Sequence, residues 1–417
     1  MNVLLKSATI LAPTTPSLHL KKRDFLIKNG RIEKISAKIP AQKGIREVQL
    51  PNLHLSLGWF DSGVCFGEPG FEERETIAHG LTVAAKSGFT DIVLNPNTEP
   101  LPDSSPGVIF LKDRGQQKAC RLHPMGTLTK QAKGAELAEL YDMAKAGAVA
   151  FYDHKKSLGD ANLLKLALQY CQNFGGLVCS FPQDNHIKGQ GMVNEGVIAT
   201  KLGLKGIPHL AEELQVARDL QLLEYTGGKL HLPTISTENA VKMIGDAKKR
   251  GLDVSCSVAI HNLFVSDGVL ELFDSNTKVN PPLRTTKDQK ALRKGLASGT
   301  IDFVTSDHIP IAIEGKRLEF DNATYGTIGL ESAFGILNAH LSLDETIGLL
   351  TKGRERFGLE TPKIAEGELA CLTLFDPSVD GTFDSASILS TSKNSLFIGQ
   401  PTKGKVYGVV NNNQLYI

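Results

Sequence analysis

Thr90-Asp91-Ile92-Val93-Leu94-Asn95-Pro96-Asn97-Thr98-Glu99-Pro100 passes from a strand into a polar loop in one short step. Ile92, Val93 and Leu94 favour extended backbone. The Asn- and Pro-rich residues that follow end a ladder and favour turns. The pattern recurs outward along the chain: 148–152, 176–181, 229–232 and 302–305 are further short, mostly apolar strands. Helical stretches lie between them. Residues 137–145 have helical character, and in 237–250 Ala240, Val241, Ile244 and Ala247 form an i, i+4, i+7 stripe. Short apolar strands alternating with amphipathic helices imply a parallel sheet covered on both faces. Over residues 56–366 this predicts an α/β fold closed as a (β/α)8 barrel of the TIM type, with its site at the C-terminal ends of the strands. The polar residues expected there are Asp61, Asn97, Asp153, Asp184, Thr234, His261, Asp307 and His308. His261 reads as a buried histidine satisfied by hydrogen bonds.

The two ends read differently. Residues 3–5, 24–27 and 31–35 are strand-like, with Lys28-Asn29-Gly30 as a hairpin turn. Residues 370–375 form a strand ending at Asp376-Pro377, and 406–410 another, followed by the turn Asn411-Asn412-Asn413. Segments 1–55 and 367–417 are therefore expected to build one small composite β-sandwich module beside the barrel. There is no internal repeat and no low-complexity segment.

Composition removes several function classes. The 417 residues are 41% hydrophobic and 22% charged, ordinary values for a globular chain with a large core. Lys+Arg and Asp+Glu nearly cancel at 46 and 45, so there is no basic footprint for nucleic acid or an anionic membrane. The cysteines Cys65, Cys120, Cys171, Cys179, Cys256 and Cys371 show no C-x-x-C pair or zinc-ribbon spacing, and read as buried reduced thiols of a cytoplasmic protein. No signal peptide and no membrane-spanning run is expected. A homo-oligomer is expected.

The segment Gly58-Trp59-Phe60-Asp61-Ser62-Gly63-Val64-Cys65-Phe66-Gly67-Glu68-Pro69-Gly70 resembles the first-strand signature of dihydroorotases in the amidohydrolase superfamily, roughly G-F-I-D-x-H-x-H-x-R-E-P-G. The resemblance runs almost end to end. It includes Asn95 to Pro100, Gly191-Met192-Val193-Asn194-Glu195-Gly196 and Lys278-Val279-Asn280-Pro281-Pro282-Leu283-Arg284. It also includes Gly299 to Pro310, Gly329-Leu330-Glu331 and Leu374-Phe375-Asp376-Pro377. It is closest to the bacterial type that works beside aspartate transcarbamoylase. The resemblance implies hydrolysis or formation of a cyclic amide in pyrimidine synthesis. One or two zinc ions would lower the pKa of water and polarise the carbonyl.

The same resemblance places most metal ligands on residues that cannot coordinate. Gly63 and Cys65 stand for the first two histidines, Phe181 for a third and Thr234 for a fourth. His231 matches the earlier histidine of that last pair. Asp153 matches the barrel carboxylate ligand, and Asp307 the metal-bound acid or base. On the substrate side the arginine is Gly67 and a histidine is Ile311, while Asn97 survives. Asn97 and Asn280 are the candidate substrate contacts, and each would equally serve to cap its own loop. No metal or other cofactor is expected. Cys65, Asp153 and Asp307 are the residual candidates for a single zinc. Phe181 and Ile311 put apolar volume where imidazole was, as expected of fillers in a densely packed interior.

The leading expectation is a dihydroorotase-family protein without metal-dependent hydrolysis, acting as a structural or regulatory partner of aspartate transcarbamoylase. Two readings stay open beside it. One is an active dihydroorotase or cyclic amidase with zinc in a remodelled site around Cys65, Asp153 and the catalytic candidate Asp307. The other is a non-catalytic sensor of a small molecule, dependent on Asn97.

Overall fold

The computed structural model describes residues 1–13 and 15–417. Eight short strands form the barrel: β1 Trp59–Val64, β2 Phe89–Leu94, β3 Arg121–Pro124 and β4 Phe151–Tyr152, then β5 Leu177–Cys179, β6 Lys229–Leu232, β7 Val254–Ala259 and β8 Phe303–Thr305. β1, β2 and β3 pair in parallel, as do β4 through β8 in turn. Parallel bridges between Gly126 and Phe151 and between Val64 and His308 close the ring. The barrel expected from the alternation of strands and helices is thus present. Its strands are shorter than the apolar runs suggest, because Ala148 to Ala150 and Ser180 to Phe181 lie outside the ladders.

Local chemistry explains the covering helices. Helix Glu238–Lys249 begins at Thr237, whose hydroxyl accepts a hydrogen bond from the Ala240 amide at 3.3 Å. It buries Ala240, Ile244 and Ala247 against the barrel, while Val241 is only half-buried. Beneath the barrel, Asp91 ties strands together. It accepts from Arg121 Nε at 2.8 Å, His123 Nε2 at 2.9 Å and Arg354 Nη2 at 3.0 Å. Arg354 is itself fully buried and also donates to the Gly58 carbonyl at 2.8 Å. Burial acts upward on the Asp91 carboxyl, but the His123 hydrogen bond and the Arg354 and Arg121 charges override it and hold the pKa well below the usual range.

Both chain ends meet in one eight-stranded sheet. Asn2–Leu11 pairs with Lys22–Lys28, and His54–Leu57 joins it to Leu372–Thr382 through the pairs Leu57↔Leu372 and Leu55↔Leu374. Val3, Leu5, Phe25, Ile27, Leu55 and Leu374 are part of its apolar core. Asn29 and Gly30 turn the hairpin with φ of 50° and 76°. Between the two long C-terminal strands the chain leaves this sheet and reaches the barrel mouth, where Asn394 Oδ1 accepts from the Ile311 amide at 3.1 Å. Among the described residues no helix is long and apolar enough to cross a membrane.

Candidate active site

The loops after the barrel strands deliver Cys65 (β1), Asn95 (β2), Asp153 to Lys155 (β4), Phe181 (β5), Thr234 (β6), His261 (β7) and Asp307 (β8) to one end of the barrel. Asn95, His154, Lys155, Thr234 and Asp307 from this set, with Tyr152 and others, line a cavity of about 20 Å³. That volume holds about one water molecule.

The centre of this arrangement is a lysine. Lys155 Nζ lies 2.9 Å from Asp307 Oδ1 and 3.0 Å from Oδ2. It donates to the Asn280 carbonyl at 2.6 Å, reaches Thr234 Oγ1 at 3.5 Å, and sits 5.5 Å from the centre of the Phe181 ring. Lys155, Thr234 and Asp307 all have left-handed backbone, with φ of 55°, 52° and 49°. Such conformations in residues with a Cβ cost roughly 1–3 kcal/mol each and concentrate at functional sites. Sequence reasoning did not single out Lys155. The only available signal was a lysine two places after the barrel aspartate, and that spacing names no partner.

The other expected site residues divide among separate tasks. Asp153 turns away from the mouth and accepts from the amides of Leu128 at 2.9 Å and Thr129 at 3.0 Å, and from the Thr129 hydroxyl. Asp61 laces β1 to β8, accepting from Gly63 N and Ser306 N at 2.8 Å and from Thr305 Oγ1 at 2.6 Å. Asp184 caps the short helix Asn185–Lys188 through the amides of His186 and Ile187. His308 is buried, and its Nδ1 accepts from Gly329 N at 3.2 Å. His231 packs face to face on Phe303, with Nδ1 2.8 Å from Ser255 Oγ. His261 is buried as expected, but both ring nitrogens lack partners, contrary to the expectation that it is satisfied. Asn280 uses its backbone carbonyl on Lys155, leaving Oδ1 unpartnered. Asn97 Oδ1 is also unpartnered, and this residue lines a separate pocket of about 240 Å³ with His154 and Lys156.

Around the Lys155–Asp307 pair, Cys65, His154 and His261 are held in their neutral forms. Burial and the Asp307 charge push the Cys65 thiol up. Burial and the Lys155 charge lower the half-buried His154 to about 3. Cys65 Sγ and His154 Nε2 are 3.6 Å apart, so the pair is thiol and neutral imidazole, not the thiolate and imidazolium of a reactive cysteine. Burial lowers His261 to about 4.

The donor set does not fit a zinc site. Among the described residues no three His, Cys, Asp or Glu side chains converge to hold a metal ion. Cys65, Asp153 and Asp307 face His154, Thr129 and Lys155 respectively, so the three residual candidates form no common ligand set. A catalytic zinc needs three protein ligands around an open position. Two further positions are closed by packing. A Cβ on Gly63 would collide with Thr305 Oγ1, and one on Gly67 with the Phe71 carbonyl. Phe181 is buried, in one apolar cluster with Tyr152 and Cys179.

Comparison with known proteins gives a consistent relationship. A family model described as dihydro-orotase-like matches residues 55–240. The dihydroorotase of Pelotomaculum thermopropionicum is 36% identical, covering 98% of this chain and 97% of that protein. That of Pelobacter propionicus is 35% identical, covering 98% of each. Among solved structures, the L-hydantoinase (dihydropyrimidinase) of Arthrobacter aurescens superposes with a TM-score of 0.83 at 22% identity, over 97% of this chain and 93% of that one. The D-hydantoinase (dihydropyrimidinase) of a Thermus species gives 0.80 at 21% identity, over 99% and 96%. At those identities the structural likeness speaks for the fold.

Proposed function

This chain belongs to the dihydroorotase-like family, and from that premise we propose that it is a member without metal-dependent hydrolysis, serving pyrimidine synthesis as a structural or regulatory partner of aspartate transcarbamoylase. The observation that carries the loss of hydrolysis is the dispersal of Cys65, Asp153 and Asp307 onto three different partners. Without a convergent ligand set nothing lowers the pKa of water or polarises an amide carbonyl. A general base alone contributes only about 10²–10⁴ in rate. The cavity beside Lys155 and Asp307 supports the same reading, since at about 20 Å³ it admits no cyclic amide. The partner follows from the resemblance to the bacterial type that works beside the transcarbamoylase. Six free, buried cysteines suit the cytoplasm, and a homo-oligomeric assembly belongs to the same proposal. The test mixes the two proteins at micromolar concentration. Co-migration by size with altered transcarbamoylase activity supports the proposal, whereas separate migration with unaltered activity refutes the partnership.

A second reading, an active dihydroorotase with a remodelled site, draws on the 36% identity over nearly the whole chain. It predicts a metal-dependent rate on dihydroorotate that disappears in Cys65→Ala and Asp307→Ala.

A further inference from the structure

We infer that the ammonium of Lys155 takes the place of the catalytic cation in this barrel and closes its mouth to a divalent metal. The inference rests on the non-hydrolytic reading and deepens it.

Lys155 Nζ has the surroundings of a bound cation. Its polar neighbours are all oxygens: the Asp307 carboxylate, the Asn280 carbonyl and the Thr234 hydroxyl. The Phe181 ring presents its π-system from another side. Phe181, Thr234 and Asp307 follow three different strands, and each stands where the resemblance places a metal ligand. Lys155 alone crosses from the end of β4 to meet them. It does so from a left-handed backbone, a conformation that an L-residue adopts at a cost. The charge balance is also that of a replaced ion. Asp307 is buried, and among the described residues its one salt bridge is to Lys155. Taking one partner from such a pair leaves an uncompensated buried charge. A tethered ammonium keeps the fold of the mouth without supplying a Lewis acid.

The test asks whether Nζ and a metal compete for one position. Phe181→His with Thr234→His adds two imidazoles beside Asp307, a three-ligand set for zinc. This double substitution is made with Lys155 in place and again with Lys155→Gly, which suits the observed φ. Elemental analysis should find about one zinc per chain only when Lys155 is absent. Equal zinc in both proteins, or in neither, would overturn the inference. A second measurement does not depend on those variants folding. Lys155→Met should raise the unfolding equilibrium constant by about 10²- to 10⁴-fold in the natural chain. In an Asp307→Asn background the same change should shift it by less than about ten-fold, and additive effects would overturn the pairing. Stoichiometric zinc in the unaltered chain would instead overturn the non-hydrolytic reading. Additivity in a zinc-free chain would overturn the role of Lys155 alone.

Discussion

Replacing Phe181 with alanine probes whether the barrel mouth is filled or open. The ring is 1% exposed and belongs to the same buried apolar cluster as Tyr152 and Cys179. Truncating a buried Phe to Ala costs about 3–5 kcal/mol, through lost transfer energy and the cavity left behind. The ring also faces Lys155 Nζ at 5.5 Å, a cation–π contact of about 0.5–2 kcal/mol. The sum is about 3.5–7 kcal/mol. For 417 residues, an unfolding entropy of about 2.1 cal/mol/K per residue gives about 0.9 kcal/mol/K for the whole chain. Phe181→Ala should therefore lower the melting temperature by about 4–8 °C if the chain unfolds as one unit. Circular dichroism during heating, with urea unfolding at 25 °C as a cross-check, reads the change. A drop of less than about 1 °C would refute the reasoning, because it would mean that the ring borders open space.

Three other perturbations follow from the same structure. Arg354→Met strips the buried Asp91 of one partner and should cost about 3–5 kcal/mol in urea unfolding; a loss under about 1 kcal/mol would show that Arg121 and His123 suffice. His261 is held near 4 when folded, against about 6.5 unfolded. Its contribution is present above that unfolded value and is lost as pH falls, so His261→Leu should flatten the decline in stability between about pH 6.5 and 4; parallel curves for the two proteins would contradict this. Burial raises the Asp153 carboxyl above its ordinary value of 3.8, which disfavours the ionised form in the folded state. That penalty is absent below the unfolded pKa and complete above the folded one, so Asp153→Asn should gain stability relative to the natural chain as pH rises through this range; a relative loss with rising pH would show that the carboxylate is needed ionised.

Much of the fold was legible because it rests on local periodicity. The run at 229–232 coincides with β6, and 237–250 contains the helix Glu238–Lys249 with its Thr237 cap. Strand length was less legible. Residues 148–150 are apolar enough for a strand, yet they come before the ladder begins at Phe151. The site was legible as a set of positions and illegible as a geometry. Asp153 stands where the resemblance puts a ligand, but its oxygens go to Leu128 and Thr129, a choice made by loop packing. Lys155 was illegible because its meaning comes from residues far along the chain, Thr234, Asn280 and Asp307, which the barrel closure brings to it. His261 was readable as buried from its apolar neighbours, but no local pattern reveals that its nitrogens lack partners.

The most direct test of the central claim is elemental analysis of the protein purified without chelator and without a metal-affinity tag, alongside a dihydroorotate hydrolysis assay. The account predicts no stoichiometric zinc and no metal-dependent turnover. About one zinc per chain or more, with turnover lost on chelation, would contradict it and restore the barrel to its relatives' chemistry.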